Sequence, residues 1–381
     1  MEHAFTPKIM EILGKEFDKA AKDVYQSSPL LQYLNIKTRS AAHGSKARGA
    51  FANHYAVYVL VEDYINKGYL KKGDYSNYEG ARFTDLFRRQ RELPFGAKLQ
   101  NHALNSRMND EFKKYFPTCS FIPIMRNVAT NRYWINENLL RIEVADKKYN
   151  IAPAILRIID AYVAAKRDAF ETFIAACEQL QSLKAADAAK VQEFIKKLLQ
   201  PNVDARVFEI ASFGILRHFY GGTVIYWGWT ENDLNEEYLT LYKTGRTNAN
   251  DGGIDFVMRP LGRFFQVTEA TDVRKFFLDI DKVQKYPITF VIKSELPIPD
   301  LRTRMKEQAK EAYGIEEIVD RYMECVEEII NIPMLLERFD ESIKAGKLND
   351  VLNEIVVHSK IEFHYHEPIE VGQETEEEPS L

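Results

Sequence analysis

The stretch DGGIDFVMRPLGRFFQVTE, residues 251–269, constrains the fold of this 381-residue chain more than any other. IDFVM and RFFQVTE have strand composition, and RPLG between them is a turn, so the pair reads as two adjacent strands joined by a short hairpin. Gly252 and Gly253, just ahead of Asp255, let the backbone turn tightly and let another backbone or a phosphate approach closely. ITFVIKSE, beginning at Ile288, supplies a further strand, and TVIYWGW, beginning at Thr223, is a short β-rich run. The helix DARVFEIASFGILRHFYG, with one apolar face, precedes them. Residues 201–300 are therefore expected to form an α/β core, a mixed sheet flanked by helices.

The rest of the chain reads as mainly helical. A chain of this length is too long for one core and divides into domains. Residues 1–150 are expected to form a helical, basic N-terminal domain, with helices over 1–35, 49–69, 82–96 and 98–116 and a small, polar loop over 36–48. Residues 151–200, rich in Ala, Lys and Gln, read as a helical connector. Residues 301–381 read as a helical C-terminal extension, with helices over 300–330 and 334–356. IVVHSKIEFHYHEP then looks strand-like, and QETEEEPSL is expected to be a disordered acidic tail.

Asp255 and Gln266 sit eleven residues apart, across the turn from one another. A carboxylate facing an amide oxygen across two strands can share one divalent cation, and Mg²⁺ takes oxygen ligands, often only one or two from protein. Such an ion activates water and stabilises charge developing on a phosphodiester. Glu209, on a helix whose other residues face a core, is a candidate further ligand; an amphipathic helix edge accounts for it equally well. His364 and His366 form a His-x-His pair with no obvious third ligand for zinc. No Walker-type loop or Gly-x-Ser-x-Gly elbow is present.

Charge is unevenly distributed. The net charge is −5, yet Lys37 to Arg126 holds 16 Lys and Arg against 8 Asp and Glu, while Ile361 to Leu381 holds 7 Glu and no base. A local positive field suffices to attract nucleic acid. The helix RFTDLFRRQRELPFG carries Arg88, Arg89 and Arg91. The next helix carries Asn101, His102, Asn105, Ser106 and Arg107, residue types that read adenine and guanine edges. The two helices could form a helix-turn-helix, or an ordinary helical hairpin with a solvated basic face. Arg246, Asn248 and Asn250 could contact phosphate or be plain loop residues. Three scattered cysteines, Cys119, Cys177 and Cys325, suit a reducing cytoplasm, and no stretch reads as a signal peptide or membrane span.

The order helix-Glu209, Gly-Gly-Ile-Asp255, hairpin, Gln266-Val267-Thr268 resembles the PD-(D/E)XK nuclease superfamily over roughly residues 205–295, and within it the Mrr-like pattern. With a basic helical N-terminal region it is similar to type II restriction endonucleases. The resemblance implies a sequence-specific, Mg²⁺-dependent endonuclease of double-stranded DNA, a homodimer that works beside a cognate DNA methyltransferase acting on the same site. It makes Asp255 the principal metal ligand, Gln266 the stand-in for a second acidic ligand, the Val267 carbonyl a contributor and Glu209 the helix glutamate. The lysine of the pattern falls on Thr268. Three consequences are open: a lysine arrives from elsewhere, with Lys275 and Lys293 as candidates; the metal works alone; or the core is degenerate and the chain is a non-cleaving DNA-binding regulator. A nuclease directed at RNA or at particular nucleic-acid structures is a further alternative.

Overall fold

The computed structural model describes residues 2–39, 47–71, 74–97, 99–181, 188–244, 254–269 and 273–363. The chain divides into two compact units: Met1–Phe173 with Val203–Arg206, and Ile174–Asn202 with Val207–Leu381. Among the described residues no helix is long and apolar enough to cross a membrane. All three cysteines carry free thiols.

The first unit is built from α1 (Thr6–Phe17), α2 (Ala21–Ser27), α3 (Pro29–Thr38), α4 (Ala47–Asn66), α5 (Phe83–Glu92) and α6 (Met108–Tyr115), together with the first part of α7 (Ala152–Gln181). Ser28 caps α3 by accepting the Leu31 N–H, with Pro29 pre-set at the first helical position. Two small sheets that the sequence reading did not anticipate accompany these helices. β1 (Ala81–Arg82), β3 (Arg132–Ile135) and β2 (Ile124–Asn127) form one antiparallel sheet in that order, and β4 (Arg141–Val144) pairs with β5 (Lys147–Asn150) in the other. The β4–β5 turn has Ala145 and Asp146 at φ of 47° and 61°, the left-handed pair a two-residue hairpin needs. Alanine is a poor advertisement for that turn, which is why the hairpin was hidden.

The second unit holds the end of α7, then α8 (Ala188–Lys197), α9 (Ala205–Tyr220), the ribbon β6 (Val224–Trp227) with β7 (Asn235–Tyr238), β8 (Thr240–Lys243), β9 (Phe256–Arg259), β10 (Arg263–Thr268), α10 (Val273–Lys282), β11 (Ile288–Ile292), α11 (Ile298–Tyr313), α12 (Glu316–Glu324), β12 (Val326–Ile330), α13 (Ile332–Lys344) and α14 (Leu348–Phe363). Its main sheet is mixed and five-stranded, ordered β12-β11-β10-β9-β8. β8, β9 and β10 run antiparallel in sequence. β10, β11 and β12 run parallel, linked by crossovers through α10 and through α11–α12. All five residues of β11 are buried, as a strand covered on both faces requires.

The turn expected at RPLG joins β9 to β10, with Gly262 at φ 68°. Two C-terminal segments differ from the sequence reading. Val326–Ile330, read as helix, is the edge strand β12. IVVHSKIEF, read as strand, lies in α14, where Val351, Leu352, Ile355 and Val356 are buried at helical spacing and Glu354 reaches His358 one turn on. Three β-branched residues in four disguised a 3.6-residue period.

Candidate active site

Asp255 stands one residue ahead of β9, tied on both sides. Its N–H donates to the Phe265 carbonyl at 2.9 Å, and its carbonyl accepts the Thr244 N–H at 2.9 Å. Asp255 is only 8% exposed, and one carboxylate oxygen accepts the Val267 N–H at 2.7 Å. Burial pushes the Asp255 carboxyl up to about 8, and the Glu209 carboxylate pushes the same way; the Val267 N–H and the Lys243 ammonium pull it down, and Asp279 adds a further upward push. A carboxyl in this setting is held in a place where ionisation is costly unless a positive charge joins it.

Gln266 is inward on β10 and 7% exposed. Its Nε2 reaches the Val267 carbonyl at 3.4 Å, and its Oε1 is buried with no hydrogen-bond partner among the described residues. A buried amide oxygen left unpaired costs about 1–3 kcal/mol, so its position beside a carboxyl in want of positive charge is informative. Thr268, two residues on and therefore on the same face of β10 as Gln266, is 3% exposed. Glu209 projects from α9 and pairs with Lys243 at 2.7 Å, the two side chains being 23% and 18% exposed.

Lys243, which the sequence reading did not single out, also acts on Asp255. It is the last residue of β8, paired in register with Phe256, immediately after Asp255. Lys275 and Lys293 follow Thr268 in the chain, whereas Lys243 lies on the strand before Asp255. The segment NEEYLTLYK gave little warning, being polar where β7 ends and only briefly alternating in β8. Of the two candidates named from sequence, Lys293 pairs its amine with Glu269 and its N–H with the Thr268 carbonyl at 2.9 Å. Lys275 lies in α10, but its side chain is outside the described residues, as are Arg246, Asn248, Asn250, Gly252, Gly253, His364 and His366. Asp279, also on α10, is nearly buried and paired with Lys282 at 2.9 Å.

Among the described residues no three His, Cys, Asp or Glu side chains stand together in a group that could hold a metal. The donor set available is two carboxylates and an amide oxygen: Asp255, Glu209 and Gln266. That set suits a hard cation that keeps most of its water, such as Mg²⁺. The orphaned Gln266 oxygen and the raised Asp255 carboxyl fit the arrival of such an ion, which would supply the missing partner and the missing charge together.

The basic face of the first unit is partly committed to internal contacts. Arg89 makes a bidentate pair with Glu62 on α4, at 2.8 Å through both nitrogens. Arg91 donates to the Ala97 carbonyl at 2.8 Å. Asn105 accepts from Arg126 at 2.7 Å. Arg88, Asn101, His102 and Arg107 are exposed. The two helices are not a helix-turn-helix. Ten residues separate α5 from the π-helical turn Ala103–Arg107 that opens α6, and both α5 and that turn pack on α4. Leu93–Gly96 folds back on itself, with the Gly96 N–H on the Leu93 carbonyl at 2.8 Å, where a Cβ at Gly96 would strike the Gln90 carbonyl.

Compared with family models, with curated proteins and with solved structures, the chain matches none.

Proposed function

We propose that the chain is a Mg²⁺-dependent endonuclease of double-stranded DNA, of the type II restriction class, with its catalytic centre at Asp255, Glu209, Gln266 and Lys243. The observation that carries this reading is the buried Asp255 carboxyl, one residue ahead of β9, raised by burial and by Glu209, with the unpaired Gln266 oxygen on the neighbouring strand and a lysine–glutamate pair acting on it. The mixed five-stranded sheet, with β8, β9 and β10 antiparallel, β11 parallel to β10, and helices α9 and α10 in the same unit, supports the reading of a restriction-endonuclease-like core, for which the resemblance implies a mixed sheet flanked by helices.

Asp255, Glu209 and Gln266 would hold the ion, with the Val267 carbonyl beside them. When bound, the ion supplies a Lewis acid for the scissile phosphate and lowers the pKa of a water. Asp255 fixes the site to the sheet through the Val267 N–H. Lys243 would take the role that Thr268 cannot: its ammonium would orient the attacking water or stabilise charge on the pentacoordinate phosphorus of the transition state. In the free protein Glu209 holds that ammonium in place. Thr268 contributes a hydroxyl at most. The exposed Arg88, Asn101, His102 and Arg107 would meet the DNA, and cutting both strands calls for two copies and, in the cell, a cognate methyltransferase that protects the same sequence.

A second reading, a DNA-binding regulator that does not cleave, is favoured because among the described residues no three His, Cys, Asp or Glu side chains form a group that could hold a metal, and because Thr268 stands where the resemblance wants a lysine. Plasmid cleavage with Mg²⁺ and with EDTA, beside Asp255→Ala, separates the two. Discrete fragments that need Mg²⁺ and vanish in the variant are the expected result. Salt-sensitive DNA binding with no fragments would establish the regulator instead.

A further inference from the structure

The ribbon β6–β7 stands apart from the main sheet as a two-stranded sheet of its own, and among the described residues no strand pairs with its outer edges. It carries an unusual load of exposed aromatic surface: Tyr226 is 64% exposed, Trp229 93% and Tyr238 57%. Its tip closes because Gly228 has no side chain, since a Cβ there would lie 1.7 Å from the Asp233 carbonyl oxygen. Exposed apolar surface of this kind, on a strand with a free edge, marks an interaction site.

Charge decides what can occupy it. Glu231, Asp233, Glu236 and Glu237 all lie on the tip and β7, with no Lys or Arg between Val224 and Tyr238. A polyanion is repelled. β6 itself, Val-Ile-Tyr-Trp, carries no charge, no proline and no lysine, the usual devices that blunt an edge. Its backbone geometry is self-complementary. Val224 pairs with Tyr238, and the Leu239 N–H donates to the Thr223 carbonyl at 2.9 Å, so Val224 and Tyr226 occupy the positions that do not exchange hydrogen bonds with β7. Their N–H and C=O groups therefore point to the outer edge. An identical strand related by a two-fold axis at Ile225 would set Val224 opposite Tyr226 of the second copy, and Tyr226 opposite its Val224. Both are hydrogen-bonding pairs, with the two Ile225 side chains meeting on the axis and the acidic β7 strands outermost.

We infer that β6 is a homodimerisation edge, joining two copies of this chain into a continuous four-stranded antiparallel sheet β7-β6-β6-β7. The contact is closed by its own symmetry, so it yields a dimer and not a filament. It is small beside a standard protein interface, and a dissociation constant on the order of micromolar is expected. The inference does not depend on the nuclease reading, because it is tested without DNA or metal.

The experiment is sedimentation velocity of the full chain across a hundredfold range of concentration. The wild type is expected to pass from monomer to dimer and stop there. Tyr226→Pro removes an outward N–H while leaving the hairpin's own hydrogen bonds intact, and is expected to weaken dimerisation at least tenfold. Ile225→Lys and Ile225→Glu each place like charges against one another on the axis and are expected to be monomers, while an equimolar mixture of the two restores the dimer. The mixture guards against a misfolded hairpin being mistaken for a broken interface. A wild type that stays monomeric, a dimer indifferent to Tyr226→Pro, mass that grows beyond the dimer, or a mixture that stays monomeric would each overturn the proposal.

Discussion

A half-buried lysine–glutamate pair in the first unit and one in the second each link distant elements, and the two are nearly the same object. In the first unit Lys37 of α3 meets Glu111 of α6 at 2.7 Å, their side chains 15% and 23% exposed. In the second, Lys243 of β8 meets Glu209 of α9 at 2.7 Å, their side chains 18% and 23% exposed. What differs is the third group. Beside Glu111 stands Asn53, whose Nδ2 donates to the Glu111 carboxylate at 2.5 Å and to the Tyr33 hydroxyl at 2.9 Å. Those neighbours are neutral, so the charge is balanced within the pair. Beside Glu209 stands Asp255, a second carboxyl, so the cluster carries one negative charge too many once Asp255 ionises. Length and burial do not separate the two pairs. The residual charge does: of these two clusters it is the second that would gain from a cation, as the proposed function requires.

The largest expected effect separates the two pairs by activity. Asp255→Asn keeps the shape of the site and removes its excess charge, and cleavage of a plasmid carrying the recognised sequence should fall by about 10³-fold or more. Glu111→Gln, made at the matching position of the other cluster, should leave the cleavage rate per folded molecule unchanged. Equal losses in the two variants would erase the distinction. Next in size is Lys243→Met, for which a loss of roughly 10²–10³-fold in kcat is expected, in line with removal of one positioned donor. Lys293→Met should cut almost normally, since the lysine charge that acts on Asp255 is that of Lys243. If Lys293→Met is the silent enzyme and Lys243→Met the active one, the lysine has been assigned to the wrong strand.

Stability should show the opposite pattern. Removing Glu111 strands the Lys37 ammonium in a half-buried site and should cost roughly 2–3 kcal/mol in urea unfolding. Asp255→Asn should stabilise the metal-free protein at high pH. The sign follows from the raised carboxyl: the folded state holds its proton up to about pH 8 whereas the unfolded chain releases it near its ordinary value. Stability of the wild type therefore falls between about pH 4 and 8 and levels off above. The Asn variant lacks that slope and should be the more stable of the two at pH 9. Parallel pH–stability curves for the two would mean that Asp255 is not held neutral by its surroundings.

The contrast also explains what could be read from residues alone. Asp255 and Gln266 were legible because a glycine pair, a turn and an amide at fixed spacing leave few geometries, and the strands they predict are β9 and β10. Glu209 was legible only as a carboxylate on an apolar helix. Lys243 was not, because its place near Asp255 depends on β8 lying beside β9, a long-range pairing that no local pattern encodes. The same limit hid β12, whose place beside β11 is set by the crossover through α11 and α12. α14 failed for another reason: β-branched residues lowered its helix propensity, and burial against the rest of its unit overrode that preference. On the basic face, Arg88, Arg89 and Arg91 look alike in sequence, yet only the fold brings Glu62 to Arg89.

The smallest effect tests the comparison inside one molecule. Mg²⁺ at millimolar concentration should bind the cluster at Asp255 and leave the one at Glu111 untouched. Binding to the folded state alone at ten to a hundred times the dissociation constant stabilises by about 1.4–2.7 kcal/mol. That gain should grow from pH 6 to pH 8, as the proton on Asp255 yields to the cation, and be absent in Asp255→Asn. Hydrogen exchange locates it: amides of Phe265 and Val267 on β10 should slow with Mg²⁺, while those of Tyr33 and Asn53, on α3 and α4, should not. Uniform slowing of both sets would point to a general salt effect. Slowing on β10 alone, lost in Asp255→Asn, would tie the ion to the one cluster whose charge is left unbalanced.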